Sequence, residues 1–338
     1  MINFQYSRAD TVADAVRQIA AEPTAKFIAG GTNLIDLMKE NVERPSLLID
    51  ISHLPLTTVE QTAGGTVRVG ALVPNADLAY HPLIAQRYPL LASAILAGAS
   101  AQLRNMASTG GNLLQRTRCY YFYDVATPCN KRRPGSGCAA ITGLNRMHAI
   151  LGTSESCIAT HPSDMCVALA ALEAVVHVAG PTGQRAIAFA DFHRLPGDTP
   201  NFDTNLQPNE IITAVELPAR GFATNFSYLK IRDRLSYAFA LVSAAAALEL
   251  DGDTIREARV ALGGVAHKPW RNVSAEAALR RQPASRATFE RAAALLLHGA
   301  KGFAHNAFKV ELAHRVIVRA LTQAASGTPQ SQSVKKIQ

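Results

Sequence analysis

The stretch "KFIAGGTNLIDLMKE" (residues 26–40) decides how this chain is read. Lys26, Phe27, Ile28 and Ala29 form a β-like run, Gly30-Gly31-Thr32 make a turn, and Asn33 stands where it can cap a helix carrying Leu34, Leu37 and Met38. Glycines let a backbone approach a ligand closely, and the N–H groups that open a helix point at any anion placed there. The Thr32 hydroxyl and Asn33 amide add donors, so a pyrophosphate suits the turn. The spacing is neither G-x-G-x-x-G nor G-x-x-x-x-G-K-[ST], and a purely structural turn remains open. Upstream, "DTVADAVRQIAA" (10–21) predicts a helix capped by Asp10, with Val12, Ala15, Val16 and Ile19 on one apolar face and Pro23 ending it. Downstream, "SLLIDI" (46–51) predicts a strand, which closes a small β-α-β unit.

Farther along, "TVRVGALV" (66–73) reads as a strand and "LLASAILAGAS" (90–100) as a largely apolar helix. Then "ASTGGNLLQ" (107–115) repeats the chemistry of the first turn: Ser108 and Thr109, paired Gly110-Gly111, then Asn112. Two such elements are able to form two walls of one dinucleotide site, and a pair of purely structural turns stays open, since any Gly-Gly turn with hydroxyls reads this way. An apolar helix follows Pro162, a hairpin turns at "GPTG" (180–183), and "LPGDTPNFDTNLQP" (195–208) is a long polar loop. A boundary falls near "LPARGFATN" (217–225). Beyond it the pattern predicts two strands joined by "DGDT" (251–254), helices near 274–281, 286–299 and 305–324, and a disordered tail. The fold class is α+β with mixed sheets.

With 338 residues, 48% of them hydrophobic, the chain can bury two or three cores. Its net charge of +8 is not gathered into an aromatic-interleaved basic stripe, so no nucleic-acid partner is expected. The longest apolar run, around residues 238–250, is short of the roughly 20 residues that cross a bilayer, so no membrane span is expected. The N-terminal residues show no signal-peptide pattern, which leaves the chain without a signal of its own.

The motifs "KFIAGGTNLI", "ASTGGNLL", "THPSDM" and "GGVAHKPWR" (263–271), in this order, resemble the FAD-binding subunit of molybdenum hydroxylases, the xanthine dehydrogenase and carbon monoxide dehydrogenase family. The resemblance runs from about residue 3 to 325. It implies a two-part FAD-binding region of vanillyl-alcohol-oxidase type, with subdomain 1 at 1–57 and subdomain 2 at 58–218. A smaller α+β C-terminal domain at 223–325 and a tail at 326–338 would follow. It also implies that Lys26 through Leu34 hold the FAD pyrophosphate and that Ser108, Gly111 and Asn112 add contacts. Asp164 would bond hydroxyls of the FAD chain, and Ile212 and Lys230 would lie beside the flavin.

All five cysteines lie between residues 119 and 166, three of them in "CYYFYDVATPCNKRRPGSGC" (119–138). The spacing C-x9-C-x8-C-x18-C lacks the short C-x2-4-C pairs of zinc sites. Disulfides need an oxidising compartment and usually serve small domains. An iron–sulfur cluster fits better, because Pro128, Pro134, Gly135 and Gly137 let loops wrap it. Arg116, Arg118, Lys131, Arg132 and Arg133 would offset its charge, and Tyr120, Tyr121, Phe122 and Tyr123 would shield it. A solvated basic loop and ordinary aromatic packing are the plain alternatives. Cys166 sits in the predicted apolar helix and behaves as a small hydrophobe, which leaves Cys119, Cys129, Cys138 and Cys157 as ligands. The insert 115–159 resembles that of the branch with 4-hydroxybenzoyl-CoA reductase and the bacterial periplasmic aldehyde oxidoreductases, most of all the latter. That branch carries a [4Fe–4S] cluster in its flavin subunit.

The resemblance implies an electron-transfer flavoprotein in a heterotrimer with a large molybdenum-cofactor subunit and a small [2Fe–2S] subunit. Substrate chemistry would lie in the partner, and His148 and His161 would be structural. The compartment would be the periplasm, by co-export with a signal-bearing partner, or the cytoplasm. A free-standing flavin oxidase or reductase is the rival reading, and a zinc-stabilised docking module is a third.

Overall fold

The computed structural model describes residues 1–332. Three sheets, each with its own helices, follow one another along the chain. The first joins Gln5–Arg8 (β1), Lys26–Ile28 (β2) and Leu47–Asp50 (β3) in the order β1-β3-β2, all parallel. Parallel neighbours need a crossover, and the helix Leu34–Lys39 supplies it between β2 and β3. The helix Val12–Ala21 buries Ala15, Val16 and Ile19, as its periodicity predicts. Its cap is Thr11 rather than Asp10: the Thr11 hydroxyl accepts the Asp14 N–H at 3.0 Å, one residue later than expected.

The second sheet contains Val59–Gln61 (β4), Val67–Gly70 (β5), Val175–Gly180 (β6), Gly183–Ala188 (β7) and Ile211–Leu217 (β8). It is antiparallel throughout, in the order β4-β5-β8-β6-β7. The third is the antiparallel sheet of Phe226–Ile231 (β9), Val242–Asp251 (β10), Thr254–Gly263 (β11) and Trp270–Arg271 (β12). Gly252, at φ +55°, makes the β10–β11 turn inside the predicted "DGDT". Helices Val273–Leu279, Arg286–Leu296 and Phe308–Ser326 complete this part. Ser326 therefore closes a helix instead of opening the tail, and residues 333–338 of the predicted disordered segment lie outside the described residues.

The alanine-rich β10 explains how the second and third sheets are joined. Successive strand residues point to opposite faces. Ala245 and Ala247 enter the core around the second sheet, together with the apolar helices Pro89–Ala97 and Asp164–Ala171. Ala244, Ala246 and Leu248 enter the core under the C-terminal helices. Small side chains let both layers pack closely on one strand. The insert contains little regular structure. The short helix Tyr120–Tyr123 buries Phe122 against Leu37 and Cys129, and an isolated bridge pairs Cys129 with Cys138.

Candidate cofactor sites

The two glycine turns meet. A Cβ on Gly30 would lie 1.8 Å from the carbonyl oxygen of Met106, so the first turn packs backbone to backbone on the chain entering the second. Gly31 takes φ +71°, the left-handed region that favours glycine. Asn33 does not cap its helix: its Oδ1 accepts the Arg116 N–H at 3.1 Å, and its buried Nδ2 has no partner. A residue from the insert thus takes the acceptor that local spacing assigned to the helix end.

The second turn forms the short helix Thr109–Leu113, capped by Ser108, whose Oγ accepts the Gly111 N–H at 3.2 Å. Thr109 and Gly110 donate N–H bonds of 2.9 and 2.7 Å to the carbonyls of Val73 and Ala71, fixing the turn to the end of β5. Asn112 donates to Asn75 Oδ1 at 2.5 Å, and its own Oδ1 accepts from Ser163 at 2.5 Å and Gln115 at 2.8 Å. Asn75 Nδ2 is a second buried amide without a partner. Nothing in its local sequence marked Asn75.

Both turns line one cavity of about 1270 Å³. Lys26, Phe27, Ile28, Ala29, Gly30, Gly31, Thr32, Asn33 and Leu34 all reach it, as do Ser108, Gly111, Asn112, Asp164 and Ile212. Lys230 stands one side chain behind the wall rather than on it. Its buried Nζ donates to Asp164 Oδ2 at 2.7 Å and to the Ala97 carbonyl at 3.1 Å. Tyr228 donates to Asp164 Oδ1 at 2.6 Å, and burial, with the carboxylate beside it, raises its pKa well above the ordinary value. The third sheet therefore holds an acid that the second sheet's helix presents.

Sequence reading also missed Tyr237 and Phe239, which reach the cavity from the β9–β10 loop, and His193, which pairs there with His161, expected to be structural. The two imidazoles lie 4.3 Å apart between centroids, and one buried nitrogen on each, His161 Nε2 and His193 Nδ1, lacks a partner. Burial depresses both, His193 to about 4. Cys166 lies with them, its ligand-type atom within 4.8 Å of theirs.

The other four cysteines converge without forming a disulfide. Burial pushes the Cys119 thiol up to about 12 and Cys157 up to about 11, and raises Cys138; neighbouring thiols add to each. The Ala159 N–H donates to Cys157 Sγ at 3.4 Å, whereas the Phe122 and Ile141 N–H groups donate to the carbonyls of Cys119 and Cys138 at 3.0 and 3.2 Å. His148 Nε2 lies 3.1 Å from Cys119 Sγ. Among the described residues no three of these four sulfurs come within 4.8 Å of one another.

The basic residues expected to offset a cluster's charge are largely committed elsewhere. Arg116 bonds Glu43 and Asp203, each at 2.7 Å, Arg118 bonds Asp36 at 2.7 Å, and buried Lys131 pairs with Asp203. Arg132 donates to the carbonyls of Tyr121, Phe122 and Thr127. Lys131 also acts on a thiol, lowering Cys157 against its burial. Of the aromatic run, Phe122 is buried whereas Tyr120 is 60% exposed. A second cavity of about 230 Å³ touches Cys119 and His148 at one end and His161, Ser163 and Asp164 at the other, so the cysteine site and the large cavity are neighbours.

A parallel β-α-β unit set against an antiparallel sheet, with two glycine turns on a shared cavity, defines a flavin-binding subunit fold. The chain belongs to the FAD-binding medium subunits of the molybdenum hydroxylase family. Residues 2–220 match the FAD binding domain in molybdopterin dehydrogenase, and residues 227–324 match the CO dehydrogenase flavoprotein C-terminal domain. The chain is 52% identical to the aldehyde oxidoreductase FAD-binding subunit PaoB of Escherichia coli (strain K12), over 95% of this chain and 98% of that one. It is 27% identical to the glyceraldehyde dehydrogenase medium chain of Sulfolobus acidocaldarius, over 81% and 79%. A solved carbon monoxide dehydrogenase of Hydrogenophaga pseudoflava superposes with a TM-score of 0.76 at 25% identity, covering 96% of this chain and 99% of that one. Among the described residues no helix is long and apolar enough to cross a membrane.

Proposed function

We propose that this chain is the electron-transfer flavoprotein subunit of a molybdenum-dependent aldehyde oxidoreductase. One observation carries the reading: two glycine turns distant in sequence line a single cavity, where the buried amide nitrogens of Asn33 and Asn75 have no protein partner. Those orphaned donors and the Gly30–Gly31 cradle fit FAD. Lys26 through Leu34 would hold its pyrophosphate, Ser108, Gly111 and Asn112 would line the opposite wall, and Asp164 would accept from its hydroxyls. Ile212 would pack beside the ring, with Lys230 acting through Asp164. Bound FAD would supply the exchange of electrons between partners and acceptor. No residue of this chain is assigned as an acid or base on the substrate.

Cys119, Cys129, Cys138 and Cys157 are proposed to hold a [4Fe–4S] cluster. The Ala159 N–H aimed at Cys157 Sγ suits a thiolate, which accepts hydrogen bonds without offering a proton. Among the described residues no three of these sulfurs lie mutually within 4.8 Å, which suits a cluster better than one zinc, whose Zn–S bonds of about 2.3 Å draw four thiolates close together. The working division is a vanillyl-alcohol-oxidase-type region at 1–57 and 58–218, with the insert 115–159, followed by 223–325. Each of those regions contains its own sheet.

The partners would be a large molybdenum-cofactor subunit and a small [2Fe–2S] subunit in a heterotrimer. The compartment would follow the partner: the periplasm by co-export, or the cytoplasm. The identity to PaoB favours this assembly over a free-standing flavin oxidase or reductase. Tag-free anaerobic purification tests it. The expected result is copurification of a large and a small chain, with one FAD and about four irons per copy of this chain. Flavin reduction by an aldehyde should require the complete complex. Aldehyde turnover by this chain alone would establish the rival, and zinc without flavin would remove the whole reading.

A further inference from the structure

We infer that His148 raises the reduction potential of the cysteine-bound cluster by donating its Nε2–H to Cys119 Sγ, and that the C-terminal domain holds it in place. The inference rests on the cluster reading above. A ligating thiolate carries no proton, so the nitrogen that faces it at 3.1 Å must carry one. The other ring nitrogen, Nδ1, is buried without a partner. A neutral ring with its proton on Nε2 bonds the sulfur and leaves only a bare acceptor at Nδ1, whereas a proton on Nδ1 would leave nothing between Nε2 and the thiolate.

The backbone of His148 is clamped from far along the chain. Its carbonyl accepts Lys309 Nζ at 2.8 Å and Asn306 Nδ2 at 3.2 Å. Asn306 also holds the Ala149 carbonyl at 3.2 Å, and Lys309 holds that of Gly264 at 2.5 Å. Both clamping residues are fully buried. The backbone that carries the ring is therefore held by the helix Phe308–Ser326 and the turn before it.

Reduction adds negative charge to the cluster and its sulfurs, so an N–H aimed at one of them stabilises the reduced state more than the oxidised one. Removing the donor must shift the midpoint to more negative potential. His148 acts here as a positioning and tuning residue and transfers nothing itself.

The test uses the assembled complex, as wild type and as His148→Phe and His148→Gln. Iron and FAD per chain are measured, and cluster reduction is then followed by EPR at poised potentials. The expected result is iron and FAD retained in His148→Phe with the midpoint moved negative, and a return toward wild type in His148→Gln, whose amide keeps an N–H. Retained iron with an unchanged midpoint in His148→Phe overturns the inference. A wild-type complex without iron overturns the cluster reading instead, so the two failures are distinct. If His148→Phe does not assemble, pulsed EPR of wild type labelled with heavy-nitrogen histidine decides. A weak coupling to one imidazole nitrogen supports the hydrogen bond. No coupling, or the strong coupling of a directly bound nitrogen, overturns it.

Discussion

The two glycine turns are written in nearly the same letters, yet they are held in opposite ways. The second is tied to its own sheet: Thr109 and Gly110 bond the carbonyls of Val73 and Ala71, and Ser108 caps the short helix. The first depends on its neighbours. Gly30 leans on Met106, and Asn33 takes its hydrogen bond from Arg116 in the insert while its amide nitrogen stays unpaired. The comparison teaches that a repeated motif need not repeat its physics. One turn is a finished part, and the other is completed by what it touches.

Four changes would break or sharpen that contrast. Gly30→Ala should be the most damaging, because its Cβ would meet a backbone oxygen that cannot rotate away. A loss of about 3 kcal/mol and of most bound FAD is expected, read by thermal unfolding and flavin content. Full flavin with an unchanged Tm would mean the turns do not bear on each other. Gly31→Ala should cost about 1–2 kcal/mol, the penalty of a left-handed backbone; its nearest obstacle, 2.7 Å away, is the flexible end of Ile35. Ser108→Ala removes one cap from the self-contained turn and should cost about 1 kcal/mol. A larger drop than for Gly30→Ala in the same melts would reverse the ranking of the two turns.

The smallest effect is one of pH. His193 Nε2 lies 2.9 Å from the Leu113 carbonyl at the end of the second turn. Burial depresses this imidazole from 6.5 to about 4, so the unfolded chain binds its proton first on acidification. The stability linked to it is present above 6.5 and is lost as pH falls through about 4. Flavin fluorescence on slow acidification should rise within that window, and His193→Phe should flatten it. Release complete above the window would assign the acid sensitivity to another group.

What could be read from the sequence was local. Gly30-Gly31 and Gly110-Gly111 announced turns through backbone freedom, and their lining of one cavity favours the two-wall reading of the pair. The hairpin at "GPTG" and the strands around "DGDT" were also legible from turn chemistry. What could not be read was long-range partnership. Arg116 and Arg118 look like counter-charges to the cysteines beside them, but their carboxylates come from 73 to 87 positions away. Asn75 is an ordinary residue until folding sets it against Asn112. The Asp10 cap failed by one residue because Thr11 offers the same acceptor to the same helix. Lys230 reads as a strand lysine beside a ligand, and only the crossing of sheets reveals Asp164 as its partner.

That last pairing has a consequence for how the subunit is made. Asp164 leaves the ribosome 64 and 66 residues ahead of Tyr228 and Lys230. Domains generally fold as units while the chain is still growing, N-terminal parts first, but this wall of the cavity stays without its supports until the strand Phe226–Ile231 has emerged. Asp164 therefore gains its two buried partners only after two thirds of the chain has been made, and a nascent chain stalled before residue 226 should expose an acid that the finished protein buries.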